Sequence, residues 1–280
     1  LTPSLARMVA QRQTTLVLPV RWYSFGPFWR YERPQRGRTR EFFQWNIDLL
    51  GAETPAADGE IVSIGAELLR SVGLAADEVV IRINSRRLME EKLAELGVND
   101  NLRPEVLRLI DRRDKLPPDK WIEWATKIGL STDQLARLQD LLSDPLLWHE
   151  SEELCQVFAT AQAFGLAEYL AYDAGVVRGL DYYTGPVFEA HDRKHGFRAI
   201  FGGGRYDNLV ADVGGDRITG VGLAMGDVII ELLLERAGKR PSLPVSPSQV
   251  LVTLFSTDLY TQTLALARQL RQAGINAEQV

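Results

Sequence analysis

Residues 28–44 read FWRYERPQRGRTREFFQ, and positions 30–40 of that stretch hold five arginines. Apolar and aromatic residues lead into the charges through LVLPV and WYSFG, and lead away from them through EFFQWNIDLLG. Pro34 and Gly37 punctuate the middle. This pattern predicts an antiparallel hairpin over 28–50 with a long basic tip. Its first strand falls within 16–31 and is bounded by Pro19 and by Gly26-Pro27. Alternate strand residues share a face, so Arg30 and Glu32 are expected to enter one cleft, with Tyr31 packed behind. Arg36, Arg38 and Arg40 fall at the tip or on the return arm. Guanidinium groups stay charged and offer a rigid fork of donors to phosphate or carboxylate. With Phe42, Phe43 and Trp45 alongside, they suit a planar base above a phosphate clamp.

The rest of the chain makes that cluster stand out. The 280 residues carry a net charge of −5, whereas residues 21–41 set six arginines against Glu32 and Glu41. Positive charge confined to one place favours a site over a nucleic-acid-coating surface. Hydrophobic residues make up 45% and charged residues 25%, a globular composition with enough length for a substantial core. No run of eighteen apolar residues is present, which argues against a membrane span. The opening LTPSLARMVAQRQ lacks a secretory pattern and an initiator methionine, and reads as the interior of a domain whose N-terminus is missing. Cys155 is the one cysteine, which fits a reducing compartment; its helical context predicts a buried, inert thiol.

Downstream, GEIVSIGAELLRSVGL has helical spacing at Ile61, Ile64, Leu68 and Leu69, ending at Gly73, and VVIRIN from Val79 alternates as a strand. From about Ser85 to Leu166 the chain reads as short amphipathic helices, a helical insertion. VVRGLDYYTGPVFEAHD, FRAIFGGGRYD and ITGVGLAMGDVIIELLLERAG return to strands and glycine turns, followed by a buried helix. RAGKRPSLPVSPSQ is a linker, and VLVTLF with TLALARQLRQAG opens a parallel β-α-β unit.

Three other stretches bear on chemistry. RGLDYYTG, residues 178–185, gathers an arginine, an aspartate and two tyrosines that packing alone does not require. FGGGRYD, residues 201–207, allows close backbone approach to a ligand or a tight turn. GVGLAMG, residues 220–226, has the wrong spacing for a dinucleotide fingerprint and fits close helix–sheet packing better. His191 and His195 lie in HDRKH without a metal-ligand pattern, and no metal site is expected.

Together these stretches resemble a class II aminoacyl-tRNA synthetase, most sharply the histidyl-tRNA synthetases, over nearly the whole chain. RGLDYYTG is similar to that family's histidine-recognition peptide and FGGGRYD to its second such peptide. FWRYERPQRGRTREF resembles the second class motif, and GVGLAMGDVIIELLL the third. The resemblance implies an α+β fold: a mainly antiparallel sheet flanked by helices, a helical insertion, and the start of a C-terminal α/β domain. It divides the chain into a first part of the catalytic core (1–84), the insertion (85–165), a second part of the core (166–238), a linker (239–248) and the beginning of an anticodon-binding domain (249–280). The implied chain is a fragment truncated at both ends, cytoplasmic or organellar, and a homodimer when whole.

The implied function is histidine–tRNA ligase. L-histidine reacts with ATP, carried with Mg²⁺, to give histidyl-adenylate, and the acyl group then passes to tRNA(His). By position, Arg30 clamps the α-phosphate, Glu32 lies near the adenine, Arg38 reaches the outer phosphates and Phe42 stacks on the base. Thr2, Gln44, Asp48, Tyr182 and Tyr183 surround histidine; Asp48 stands where many relatives have glutamate. Arg178 acts at the α-phosphate and on histidine, and Gln35 with Arg36 meets the tRNA acceptor end. The resemblance also places a glutamate for the substrate amino group immediately ahead of Leu1, one residue before the present start. One position departs from the pattern: Ile229 stands where the third motif has an arginine for the γ-phosphate. The rival implied by the same fold is a non-catalytic regulatory subunit of ATP phosphoribosyltransferase, against which an intact RGLDYYTG argues.

Overall fold

A computed structural model describes residues 2–35, 37–177, 182–194, 196–242 and 246–280. They fall into two compact units, 1–239 and 240–280.

The arginine-rich stretch forms the tip of a two-stranded hairpin, β1 (Val20–Trp29) and β2 (Glu41–Leu50), paired antiparallel from Val20↔Leu50 to Trp29↔Glu41. Strand β1 runs straight through Gly26-Pro27, which the sequence marks as a boundary. It is an edge strand, and a proline there removes a donor that need not meet a ladder partner. At the tip, Gln35 and Arg38 exchange backbone hydrogen bonds around Gly37, whose φ is +75°.

The hairpin is one end of a seven-stranded sheet. Its other strands are β3 (Val79–Ser85), β4 (Leu170–Tyr172), β5 (Pro186–Asp192), β6 (Phe201–Arg205) and β7 (Gly220–Gly226), in the order β1-β2-β7-β6-β5-β3-β4. All neighbours pair antiparallel except β3 and β4. FGGGRYD is therefore mainly an interior strand, not a turn.

Period-two alternation gives the sheet two unlike faces. One presents Ile47, Leu49, Ile81, Ile83, Phe188, Phe201, Val221 and Leu223, buried against two helices, α2 (Pro55–Ser71) and a later one at Glu152–Ala163. Helix α2 turns Ile61, Val62, Ala66 and Leu69 inward, while Ile64 is exposed, so its buried stripe is displaced from the one that the spacing suggests. The other face is covered at one end by α1 (Thr2–Arg12), through Ala6 and Val9.

A second core unites α3 (Arg86–Glu95), α4 (Arg103–Asp111), α5 (Pro118–Lys127) and α6 (Thr132–Ser143), packed around Met89, Leu109, Trp121 and Leu138. Ser131 and Gln134 form a reciprocal capping box at the start of α6. The helix Glu152–Ala163 is α7; it carries Cys155, which is half-buried rather than fully enclosed. After the short α8 (Leu209–Asp212), α9 (Asp227–Arg236) follows β7 and buries Ile229 and Leu233, with its other side outside the core. In the second unit, β8 (Val250–Val252) and β9 (Ala277–Gln279) pair in parallel through α10 (Tyr260–Gln272), the β-α-β arrangement that its pattern predicts.

Candidate active site

The face of the sheet away from α2 and α7 carries the polar residues. On β2 these are Gln44, Asn46 and Asp48, with the aromatic Phe42 on the same side by alternation. Opposite them, β7 offers only small residues: Gln44 pairs with Gly226, Asn46 with Ala224 and Asp48 with Gly222. Strand β6 continues that floor with Gly202 and Gly204. Side chains project upward from β2, and little projects from β7 and β6 beside it, so space opens above that part of the sheet. A Cβ at Gly222 would collide with the Asp48 carboxylate and lie 2.6 Å from the Ile47 carbonyl oxygen, so the floor has no room for even a methyl group there.

Two adjoining cavities occupy that space. The first, of about 280 Å³, is lined by Arg30, Glu32, Arg38, Phe42 and Gln44 on the hairpin side and by Arg198, Gly226 and Ile229 across from it. The second, of about 530 Å³, is lined by Thr2, Asp48, Tyr182, Tyr183 and Tyr206. Arg30, Glu32, Gln44, Gly202 and Ala224 line both, so Arg30 stands at their junction.

The first cavity is the charged one. The Arg30 guanidinium lies 4.9 Å from the centre of the Phe42 ring, and Phe42 is stacked on Phe28. Arg38 and Glu32 form an ion pair at 2.5 Å. Tyr31 does not pack behind this pair: it is 97% exposed, with Arg40 over its ring, because β1 has ended and the backbone no longer alternates against a core. Phe43 and Trp45 likewise face away from the cavities. Phe43 stacks on Phe25 at the sheet edge, and Trp45 packs on the main core, which leaves Phe42 as the aromatic side chain that β2 gives the cavity. Gln35, exposed at the tip, lines neither cavity.

The second cavity centres on Asp48. The Tyr206 hydroxyl donates to it at 2.5 Å. Burial pushes the Asp48 carboxyl up to about 6, and the donated hydrogen bond only partly offsets this. Burial, with Asp48 beside it, also raises Tyr206 well above the usual phenol range, so it remains a donor. Tyr182 packs between Tyr183 and the edge of Tyr206, with ring centres at 4.8 and 6.3 Å. Thr2 reaches the same space from the first turn of α1.

Two residues here are missing from the sequence reading. Asn46 is 5% exposed and lines the second cavity, and its amide nitrogen has no hydrogen-bond partner among the described residues. Strand periodicity alone points to it, since it lies midway between Gln44 and Asp48. Tyr206 needed the fold, because its contact with Asp48 spans 158 positions. Its neighbour Arg205 serves the opposite face, where it is buried against Asp58, with Nε to Oδ1 at 2.9 Å, and Asp207, with Nη1 to Oδ1 at 3.2 Å. Arg178, at the head of RGLDYYTG, and Arg36 lie outside the described residues, as does His195. His191 approaches Glu189 at 3.1 Å. No cluster of three or more His, Cys, Asp or Glu side chains among the described residues could hold a metal ion.

A family profile described as histidyl-tRNA synthetase matches residues 1–227. The chain belongs to that family. It is 37% identical over 284 residues to the chloroplastic/mitochondrial histidine–tRNA ligase of Arabidopsis thaliana, covering 98% of this chain and 58% of that one. Its fold superposes on a histidyl-tRNA synthetase from Nostoc sp. with a TM-score of 0.79 and 26% identity, over 99% of this chain and 68% of that one. A Bacillus halodurans protein described as an ATP phosphoribosyltransferase regulatory subunit/histidyl-tRNA synthetase shares the fold at a TM-score of 0.75 and 24% identity, covering 98% of this chain and 71% of that chain. The seven-stranded, mainly antiparallel sheet flanked by helices is the class II histidyl-tRNA synthetase fold. The chain spans under three-fifths of the Arabidopsis relative's length.

Proposed function

We propose that this chain carries the catalytic core of a histidine–tRNA ligase, which activates L-histidine with ATP and transfers it to tRNA(His). The observation that carries this reading is the junction at Arg30. A cavity with arginines and an aromatic wall meets a second cavity with a carboxylate and tyrosines, over one glycine floor. An anionic nucleotide fits the first and a small polar amino acid the second, so the reacting atoms meet beside Arg30.

In this reading ATP enters with Mg²⁺, held mainly by phosphates and water. Phe42 receives the base and Arg30 the α-phosphate; Arg38 turns toward the outer phosphates while Glu32, its partner, borders the adenine. Asp48 accepts a hydrogen bond from the histidine imidazole, oriented by Tyr206 and enclosed by Tyr182 and Tyr183; Gln44 and Thr2 hold the rest of the substrate. Arg178 contributes a further cation at the α-phosphate. The carboxylate oxygen of histidine bonds to the α-phosphorus, and pyrophosphate leaves with the electron pair of the broken P–O bond. Positioned cations stabilise the charge that develops. Gln35, exposed at the tip, and Arg36, next to it in sequence, are assigned to the tRNA acceptor end.

The exposed aromatic residues Tyr23, Phe25 and Trp29 on edge strand β1 support a homodimer that covers them. The unit from Arg240 onward is read as the start of an anticodon-binding domain. The protein acts in the cytoplasm or in an organelle, and no helix among the described residues is long and apolar enough to cross a membrane.

The test is histidine-dependent exchange of labelled pyrophosphate into ATP. Exchange is expected with histidine and not with other amino acids, and Arg178→Ala should abolish it without unfolding the protein. Absence of exchange in the wild-type chain extended at its N-terminus would move the assignment to the regulatory-subunit class.

A further inference from the structure

One cation in the first cavity comes from neither the hairpin nor RGLDYYTG. Arg198, in the segment between β5 and β6, lines the wall that also holds Ile229. The charged groups around it are unequally occupied. Arg38 is paired with Glu32, and Glu189 faces His191. Arg30 lies over Phe42. Arg198 has no hydrogen bond, ion pair or ring contact among the described residues.

The backbone around Arg198 is nonetheless fixed. The Phe197 N–H donates to Asp192 Oδ1 at 2.7 Å, and the Ile200 N–H donates to the Ala190 carbonyl at 2.7 Å. An arginine on an anchored segment that lines a cavity and is answered by no carboxylate among the described residues is placed for an anionic ligand.

Position 229 explains why a second source of charge is needed here. Ile229 is only 8% exposed and belongs to the main core. Its Cδ1 lies under the hairpin tip, 2.5 Å from where a Cβ of Gly37 would stand. That side chain supports the tip by packing and offers phosphate nothing.

We propose that Arg198 binds the terminal phosphates of ATP and neutralises the pyrophosphate as it leaves, supplying the charge that position 229 lacks. This rests on the ligase reading above. When the bond between the α-phosphorus and the bridging oxygen breaks, negative charge grows on the outgoing β,γ-phosphates. A guanidinium already in place stabilises that charge without reorganisation.

The test compares the wild-type chain with Arg198→Ala and Arg198→Lys in pyrophosphate exchange, and titrates each with inorganic tripolyphosphate by calorimetry. Arg198→Ala should raise the KM for ATP and for pyrophosphate roughly 10- to 100-fold, the size expected for a lost charge-assisted contact. The KM for histidine should stay within about twofold, and the thermal melt should be unchanged, because Arg198 holds no other group. Tripolyphosphate affinity should fall in parallel, and Arg198→Lys should recover part of each loss. Unchanged ATP and pyrophosphate parameters would overturn the proposal. So would weakened ATP binding with tripolyphosphate binding intact, which would assign Arg198 to the base or ribose. If the wild type catalyses no exchange even when extended at its N-terminus, the ligase reading fails and the titration alone decides: affinity lost in Arg198→Ala sustains the phosphate role, and equal affinity overturns it.

Discussion

The two faces of the central sheet are built from the same strands and behave as opposites. Toward α2 and α7, large apolar side chains fill the space between layers, with Phe188, Phe201, Leu49 and Ile81 almost fully buried. Toward the cavities, Gly202, Gly204, Gly222, Ala224 and Gly226 leave space unfilled, and the polar residues of β2 border it. Filling one face builds the largest of the hydrophobic cores. Leaving the other open forgoes that burial and keeps Asp48 and Asn46 in partly dehydrated surroundings. Stability and chemistry are thus separated by a single backbone's alternation.

Substitutions on each face should separate the same way. The largest stability effect belongs to the filled face. Phe188→Ala is expected to cost about 3–5 kcal/mol in urea unfolding, as for a large buried aromatic, while KM values for histidine and ATP in the surviving folded protein stay close to wild type. A large rise in either KM would show that the faces are coupled.

Gly222→Ala should be smaller in stability and larger in function. The added methyl meets the Asp48 carboxylate and the Ile47 carbonyl. Overpacking of this kind costs about 1–3 kcal/mol, and displacing Asp48 should raise the histidine KM at least about 10-fold, equivalent to about 1.4 kcal/mol. If the KM for histidine is unchanged, Asp48 is not where histidine binds.

Asn46→Ala reverses the usual sign. Removing a buried amide nitrogen that has no partner among the described residues should leave thermal stability unchanged or slightly raised, because that donor no longer remains. Histidine KM should rise several-fold, about 1 kcal/mol for one neutral hydrogen bond. A clear fall in melting temperature would mean that Asn46 holds the fold rather than a ligand.

The smallest effect is a shift in pH dependence. Burial holds the Asp48 carboxyl near 6, well above its ordinary 3.8. The folded protein therefore keeps a proton that the unfolded chain releases between those values, so the contribution of Asp48 to stability declines as pH rises through that window. Ligand binding to the ionised carboxylate runs the other way and weakens as pH falls below about 6. The Tyr206 hydroxyl favours the ionised form, so Tyr206→Phe should move the acid limb of kcat/KM for histidine to higher pH. An unmoved limb would exclude Asp48 as the titrating group.

How much of this was legible in advance depended on sequence distance. The hairpin, its basic tip and its return strand were local: charge, Pro34 and Gly37 mark the tip, and alternation marks the arms. Gln44 and Asp48 came from resemblance, and the period of a strand would have added Asn46. Tyr31 escapes the expected pattern, because alternation holds only while the strand lasts and β1 ends at Trp29. FGGGRYD was ambiguous between turn and strand, since glycines that admit a turn also admit close packing between strands.

The sequence by itself determined the elements, the family and most of the candidate cavity residues, because helix and strand periods and short peptide motifs are written in neighbouring positions. Only the tertiary structure decided which groups meet. It joined Tyr206 to Asp48, divided FGGGRYD between two faces, pressed Ile229 under Gly37 and brought Arg198 to the cavity that the hairpin arginines line. Those contacts depend on strand order and register across the sheet, set by packing among residues far apart in the chain, and no local pattern encodes them.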